Sequence, residues 1–152
     1  MGKISEATAD EAPVIMRMAT QVLLDTNIVI EHLRDDPTIA PLFDAIGRGA
    51  LVPAVSTIME FELLRYPEIT DAHEIVILRL LNDFRIHSVG RKTAQIAALL
   101  YRRYRGKTND LLIAATAIEH DIPLLTRNVR DFRRISELKL LKDLPSVLDD
   151  AL

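Results

Sequence analysis

Apolar residues along this chain follow two rhythms, short unbroken runs and longer stretches at helical spacing, and the two alternate. Val22-Leu23-Leu24 is a run that stops on Asp25, after which Ile28, Val29, Ile30 and Leu33 resume at helical spacing. Leu51–Val55 predicts a second strand, and Ser56–Tyr66 a helix stopped by Pro67. Thr70–Asp83 predicts a helix, Arg85–Val89 a strand, and Arg91–Arg105 a helix that ends at Gly106. TNDLLIAATAIEH (108–120) reads as a helix with Asn and Asp at its start, IPLLT (122–126) as a buried strand, and the residues around Leu138–Leu141 as a last one. Strands separated by helices predict an α/β fold with a mainly parallel sheet and helices on both faces.

At 152 residues the chain fits one domain with a full core. There is no cysteine, which removes disulfides, thiolate zinc sites and cysteine nucleophiles and suits an intracellular protein. No apolar stretch approaches the roughly 20 residues that a bilayer helix requires. Ala12–Ala19, broken by Pro13 and Arg17, makes a poor signal-peptide core. The expectation is a soluble cytoplasmic protein with no membrane attachment. Residues 1–20 are acidic, rich in alanine and without a clear pattern, and are expected to be a dispensable extension to a single domain spanning 21–152.

The net charge of −3 conceals an asymmetry. Residues 91–134 hold ten Lys/Arg against four Asp/Glu, so this segment is strongly basic and the remainder acidic. YRRYRGK (101–107) and RNVRDFRR (127–134) supply most of that basic charge. Two solvated surface helices explain it as simply as arginines interleaved with Tyr101 and Tyr104 for phosphate contact and base stacking.

The acids are more specific. Asp25 ends the first predicted strand, Asp110 lies in the first turn of a helix, and Asn128 and Asp131 follow the strand ending in Thr126. Glu60 and Glu62 lie on the helix after the second strand. In a parallel sheet these strand ends share one edge, where acids far apart in sequence converge. Converging carboxylates repel unless a cation compensates, and a hard divalent ion with oxygen ligands is the natural one. Such an ion beside a basic surface suits phosphodiester hydrolysis. Each acid also has a plainer reading: Asp25 and Asp110 as helix caps, Asp131 as a turn residue. The four histidines show no metal-ligand spacing.

The blocks LLDTNIVIEHLR, VSTIMEFELLRY and KTNDLLIAATAIEHDIPLLTRNVRDF resemble the successive motifs of PIN-domain nucleases, and among them the VapC-type toxins of toxin–antitoxin pairs. The resemblance covers residues 21–140 in order. It implies a compact three-layer α/β/α sandwich, an endoribonuclease dependent on Mg²⁺ or Mn²⁺, a homodimer, RNA as substrate and a cognate antitoxin as inhibitor. Asp25 matches the family's first acid and Asp110 its third. Ser56, six residues before Glu62-Leu63, matches the family's spacing for the second. Positions 60 and 62 lie roughly 200° apart on a helix, so only one of them can face the pocket. At the fourth position this chain has Asn128 where many relatives carry an acid, with Asp131 three residues on.

The resemblance therefore implies that Asp25, Glu62 and Asp110 hold the metal, directly or through water, with Asp131 as a further catalytic acid and a carboxylate assisting proton removal from the attacking water. A single metal is the expectation, because Asn128 brings no charge. Thr26, Thr126 and Asn128 are supporting residues, and Arg102, Arg103, Arg105, Lys107 and Arg127 are candidates for RNA backbone contact. Rival readings stand beside this one. A haloacid-dehalogenase-like phosphatase also opens on a strand ending in Asp, but it requires an acid where this chain has Asn27. A PIN-like fold that binds RNA or protein without cleaving, and a nuclease of RNA processing, are the other two.

Overall fold

The computed structural model describes residues 19–141. Its five strands are β1 (Thr20–Leu24), β2 (Leu51–Ser56), β3 (Arg85–His87), β4 (Leu124–Leu125) and β5 (Leu140–Leu141). They form one sheet in the order β3-β2-β1-β4-β5. Every neighbouring pair is parallel, with Leu23 of β1 beside Ala54 on one side and Leu124 on the other. The helices are α1 (Thr26–Leu33), α2 (Ala40–Gly47), α3 (Thr57–Leu64), α4 (Asp71–Asn82), α5 (Arg91–Tyr104), α6 (Thr108–Glu119) and the single turn α7 (Val129–Phe132).

The sheet grows outward from β1 to β2 to β3, and the chain then crosses back to lay β4 on the other side of β1. Right-handed crossovers place α1–α4 on one face and α5–α6 on the other. Covered on both faces, β1 buries Val22, Leu23 and Leu24 alike, which explains an unbroken apolar run where a half-exposed strand would alternate. The change of direction falls between β1 and β4. Open parallel sheets place their ligands at such a reversal, outside the carboxyl ends of the strands.

The elements expected from the sequence are present, and the sheet is wholly parallel. Two strands are shorter than expected for physical reasons. Pro123 has no N–H to give a ladder, so β4 keeps only two residues. The N–H of Val89 turns away to the Thr57 hydroxyl (3.1 Å), and β3 stops at His87. A 3₁₀ turn (Pro37–Ile39) and α2 occupy a stretch for which the sequence pattern predicts no element. Pro37 and Pro41 both sit at the first positions of their helices, where a missing N–H breaks no bond. β1 takes Thr20 from the expected extension, and residues 1–18 of that extension lie outside the described residues. Among the described residues no helix is long and apolar enough to cross a membrane.

Candidate active site

Asp25 sits where β1 becomes α1. Its N–H donates to the Leu125 carbonyl (2.9 Å), so the β1–β4 pairing runs up to the acid itself. As the N-cap of α1 its Oδ1 accepts the Thr26 N–H at 2.8 Å. Capping does not exhaust the side chain: Oδ2 accepts the hydroxyl of Thr126 at 2.7 Å, across the crevice between β1 and β4.

From Asp25 a string of hydrogen bonds runs both ways. On one side the Thr26 hydroxyl donates to Glu62 Oε2, and Asn109 Nδ2 donates to Glu62 Oε1 at 2.9 Å. On the other, Thr126 Oγ1 accepts the Asn128 N–H at 2.9 Å, and Asn128 Nδ2 donates to Asp131 Oδ2 at 2.8 Å. The string therefore joins α6, α3, the ends of β1 and β4, and α7. Glu62 belongs to it, and Glu60, two residues away on α3, does not.

Asp110 stands beside the string, and its side chain makes no hydrogen bond among the described residues. It does not cap α6, whose start has no side-chain cap. Burial raises its carboxyl above the ordinary range, and Asp25, Asp131 and Glu62 push the same way against the opposing charge of Lys107. Asp25 is also raised, by burial first. The hydrogen bonds from Thr126 and Thr26 work against that shift, and Glu62 adds to it. Ser56, at the matching end of β2, is fully buried, and its hydroxyl has no partner among the described residues.

These residues suit a hard divalent cation in their chemistry: carboxylates, hydroxyls and an amide oxygen, with negative charge in excess. Among the described residues no three acidic or histidine side chains stand close enough to enclose an ion unaided. Ligation partly through water, as Mg²⁺ prefers, fits that spacing.

The basic residues divide. Arg103 pairs with Glu137 at 2.6 Å, and Arg127 bonds Glu31 (3.1 Å) and Thr38 (2.9 Å), so both spend their charge within the protein. Arg105 lies over the Tyr101 ring, 5.2 Å from its centroid. Arg102 and Lys107 are exposed. Asn109 is not among the expected site residues, because an Asn at a helix start reads as a cap. Its only sequence signal is its place one residue before Asp110.

The sequence model of the PIN domain matches residues 22–138. Ribonuclease VapC19 of Mycobacterium tuberculosis is 34% identical over 122 residues, covering 77% of this chain and 96% of that protein. In fold the chain is similar to VapBC2 from Rickettsia felis bound to a DNA fragment from its promoter (TM-score 0.69, 20% identity, 80% of this chain and 98% of that one). It is similar also to a toxin–antitoxin complex from Klebsiella pneumoniae (TM-score 0.66, 26% identity, 79% and 95%). With the strand order, the acids at the β1–β4 reversal and these matches in agreement, the chain belongs to the PIN-domain family and, within it, to the kin of the VapC ribonucleases.

Proposed function

We propose that this protein is a metal-dependent endoribonuclease, the toxin of a VapBC-type toxin–antitoxin pair. The observation that carries the reading is the unbroken string from Asn109 through Glu62, Thr26, Asp25, Thr126 and Asn128 to Asp131, with Asp110 in its field. Mg²⁺ or Mn²⁺ would be held by Asp25, Glu62 and Asp110, directly or through water. Such an ion supplies charge neutralisation at the phosphate and acidifies a water.

The chain's own groups do the rest. Thr126 and the Thr26 N–H fix both oxygens of Asp25, while Thr26 and Asn109 fix both oxygens of Glu62. Asp131 is anchored through Oδ2 alone, which leaves Oδ1 to take a proton from the attacking water. Lys107, Arg102 and Arg105 draw the phosphodiester backbone toward acids that would otherwise repel it.

Two partners follow from the same reading. An apolar groove of about 440 Å³ runs between α1, α3 and α4, lined by Ile30, Leu33, Leu63, Tyr66 and Ile77 among others, and suits an apolar segment of an antitoxin. Ile75 and Leu78, exposed on α4, suit a homodimer face.

Cleavage of a mixed single-stranded RNA pool in Mg²⁺, Mn²⁺ or EDTA, with Asp25→Asn in parallel, tests the activity. Metal-dependent cutting lost in the variant is expected. Folded protein that cuts under no metal would leave only the binding-module reading. For the partner, co-expression with a cognate antitoxin is expected to relieve growth arrest, and Tyr66→Asp, at the exposed rim of the groove, to weaken that relief.

A further inference from the structure

The connection between α5 and α6 is only Arg105, Gly106 and Lys107, and its backbone is unusual. Arg105 has φ 58° and ψ −174°, a conformation that glycine adopts and other residues avoid, and Gly106 follows at φ 127°. One side chain spans this corner. Arg134 Nη1 donates to the Tyr104 carbonyl at 2.7 Å and Nη2 to the Arg105 carbonyl at 2.9 Å, while Nε donates to the Asp131 carbonyl at 3.3 Å. A Cβ on Gly106 would collide with Nη2, so the glycine serves both the φ and the approach of the guanidinium.

What lies on either side of the clamp gives it significance. The corner leads at once into Asn109, which holds Glu62, and Asp110. Asp131, whose carbonyl takes Nε, is bonded through its carboxylate to Asn128. Arg134 thereby ties the backbone just before Asn109 to that of Asp131, joining the two ends of the string through main chain. A planar guanidinium with several donors in a fixed fork can satisfy three carbonyls at once, and a lysine ammonium cannot reproduce that fork.

We infer that Arg134 is a positioning residue for the acid cluster: by locking the Arg105–Gly106 corner to α7 it sets where Asn109 and Asp110 meet the other acids. The inference rests on the nuclease reading for its kinetic consequence but not for its structural one. Arg134 touches no acid side chain of the cluster directly, and its effect passes through main chain.

The test uses Arg134→Lys, Arg134→Gln, Gly106→Ala and the Gly106→Ala/Arg134→Gln double variant, each with two readouts. The first is the side-chain amide NMR signal of Asn109 in metal-free protein. Its hydrogen-bonded shift is expected to be lost in all four variants. The thermal midpoint of the two Arg134 single variants stays within a few degrees of the parent, and the two carrying Gly106→Ala fall further, because alanine is strained at φ 127°. The second is RNA cleavage. The expected result is a fall in kcat of about 10- to 100-fold with KM little changed, and a double variant no worse than the poorer single one, because both substitutions break the same clamp.

An unchanged Asn109 signal in Arg134→Gln would overturn the inference whether or not the parent cuts RNA. A raised KM with unchanged kcat and a shallower salt dependence would make Arg134 an RNA contact instead. Full rescue by Arg134→Lys would show that charge, not the fork, is what matters, and would overturn the clamp as well. A parent that cuts no RNA while the Asn109 signal shifts as expected would sink the nuclease reading and leave the positioning role standing.

Discussion

Two groups of titratable side chains are gathered in this fold, and they are built in opposite ways. At the β1–β4 reversal, Asp25 and Asp110 sit with Glu62 and Asp131, and burial raises the first two. The other group lies beside the edge strand β3, where the rings of His87 and His120 stack at 3.9 Å between centroids. The histidines are provided for locally. His87 Nε2 meets Gln21 Oε1 at 3.2 Å, and Glu119, itself bonded by the Thr93 hydroxyl, stands beside His120. Among the described residues Lys107 is the counter-charge acting on Asp110, and none acts on Asp25. Clustering alone is therefore a poor sign of chemistry. A cluster short of counter-charge, at the place where the sheet opens, is a better one.

If that contrast is right, the largest effect in the molecule comes from neutralising Asp25. Asp25→Asn is expected to lower RNA cleavage by about 10²- to 10⁴-fold, while the metal-free thermal midpoint stays level or rises because a buried charge is removed. A variant that loses stability along with activity would break the comparison. Thr126→Val comes next. It keeps the shape but leaves Asp25 Oδ2 and the Asn128 N–H without partners, which is expected to cost about 1–3 kcal/mol of stability in denaturant unfolding.

Glu62→Gln and Glu60→Gln sharpen the assignment within one helix. The first removes the charge while an amide can keep both contacts, and it is expected to reduce cleavage strongly, whereas the second should leave stability within about 0.5 kcal/mol and cleavage nearly unchanged. Equal losses would mean that α3 presents the wrong face here. Saturating Mn²⁺ should raise the thermal midpoint of the parent, by about 2.7 kcal/mol of stability at a hundredfold excess over Kd, and raise Asp25→Asn much less. No rise in the parent would mean that the missing counter-charge is not a metal.

Much of the fold lies open in the sequence because β1 is buried on both faces and stops abruptly on an acid. Asp25 stands out for the same reason, at the seam between β1 and α1, and Asp110 by its place in the first turn of a helix. Glu62 against Glu60 is harder, since α3 is apolar nearly all round and what separates them is contact with Thr26 and Asn109, both distant in sequence. Asn109 and Arg134 are not legible. Asn109 looks like a cap until α3 is seen beside it. Arg134 is one arginine of four between 127 and 134, and what singles it out is the backbone of a corner some thirty residues earlier. α2 is short and has a proline in its first turn, so its apolar positions give little periodicity to read.

The smallest expected effect belongs to the histidine stack, and its sign follows from its surroundings. Burial lowers the His87 pKa first, the neighbouring His120 and Arg85 lower it further, and Glu119 partly offsets them. The folded protein thus binds a proton at His87 less readily than the unfolded chain, whose histidine titrates near 6.5. Stability from this site is fully present above pH 6.5 and is lost as pH falls from there through the folded value. His87→Asn should flatten that acid-side loss in a series of thermal midpoints between pH 7 and pH 5, and it should leave RNA cleavage at pH 7 unchanged. A variant that leaves the pH profile unaltered would remove the histidines from the comparison. One that abolishes cleavage would mean that the stack, and not only the acid cluster, serves the reaction.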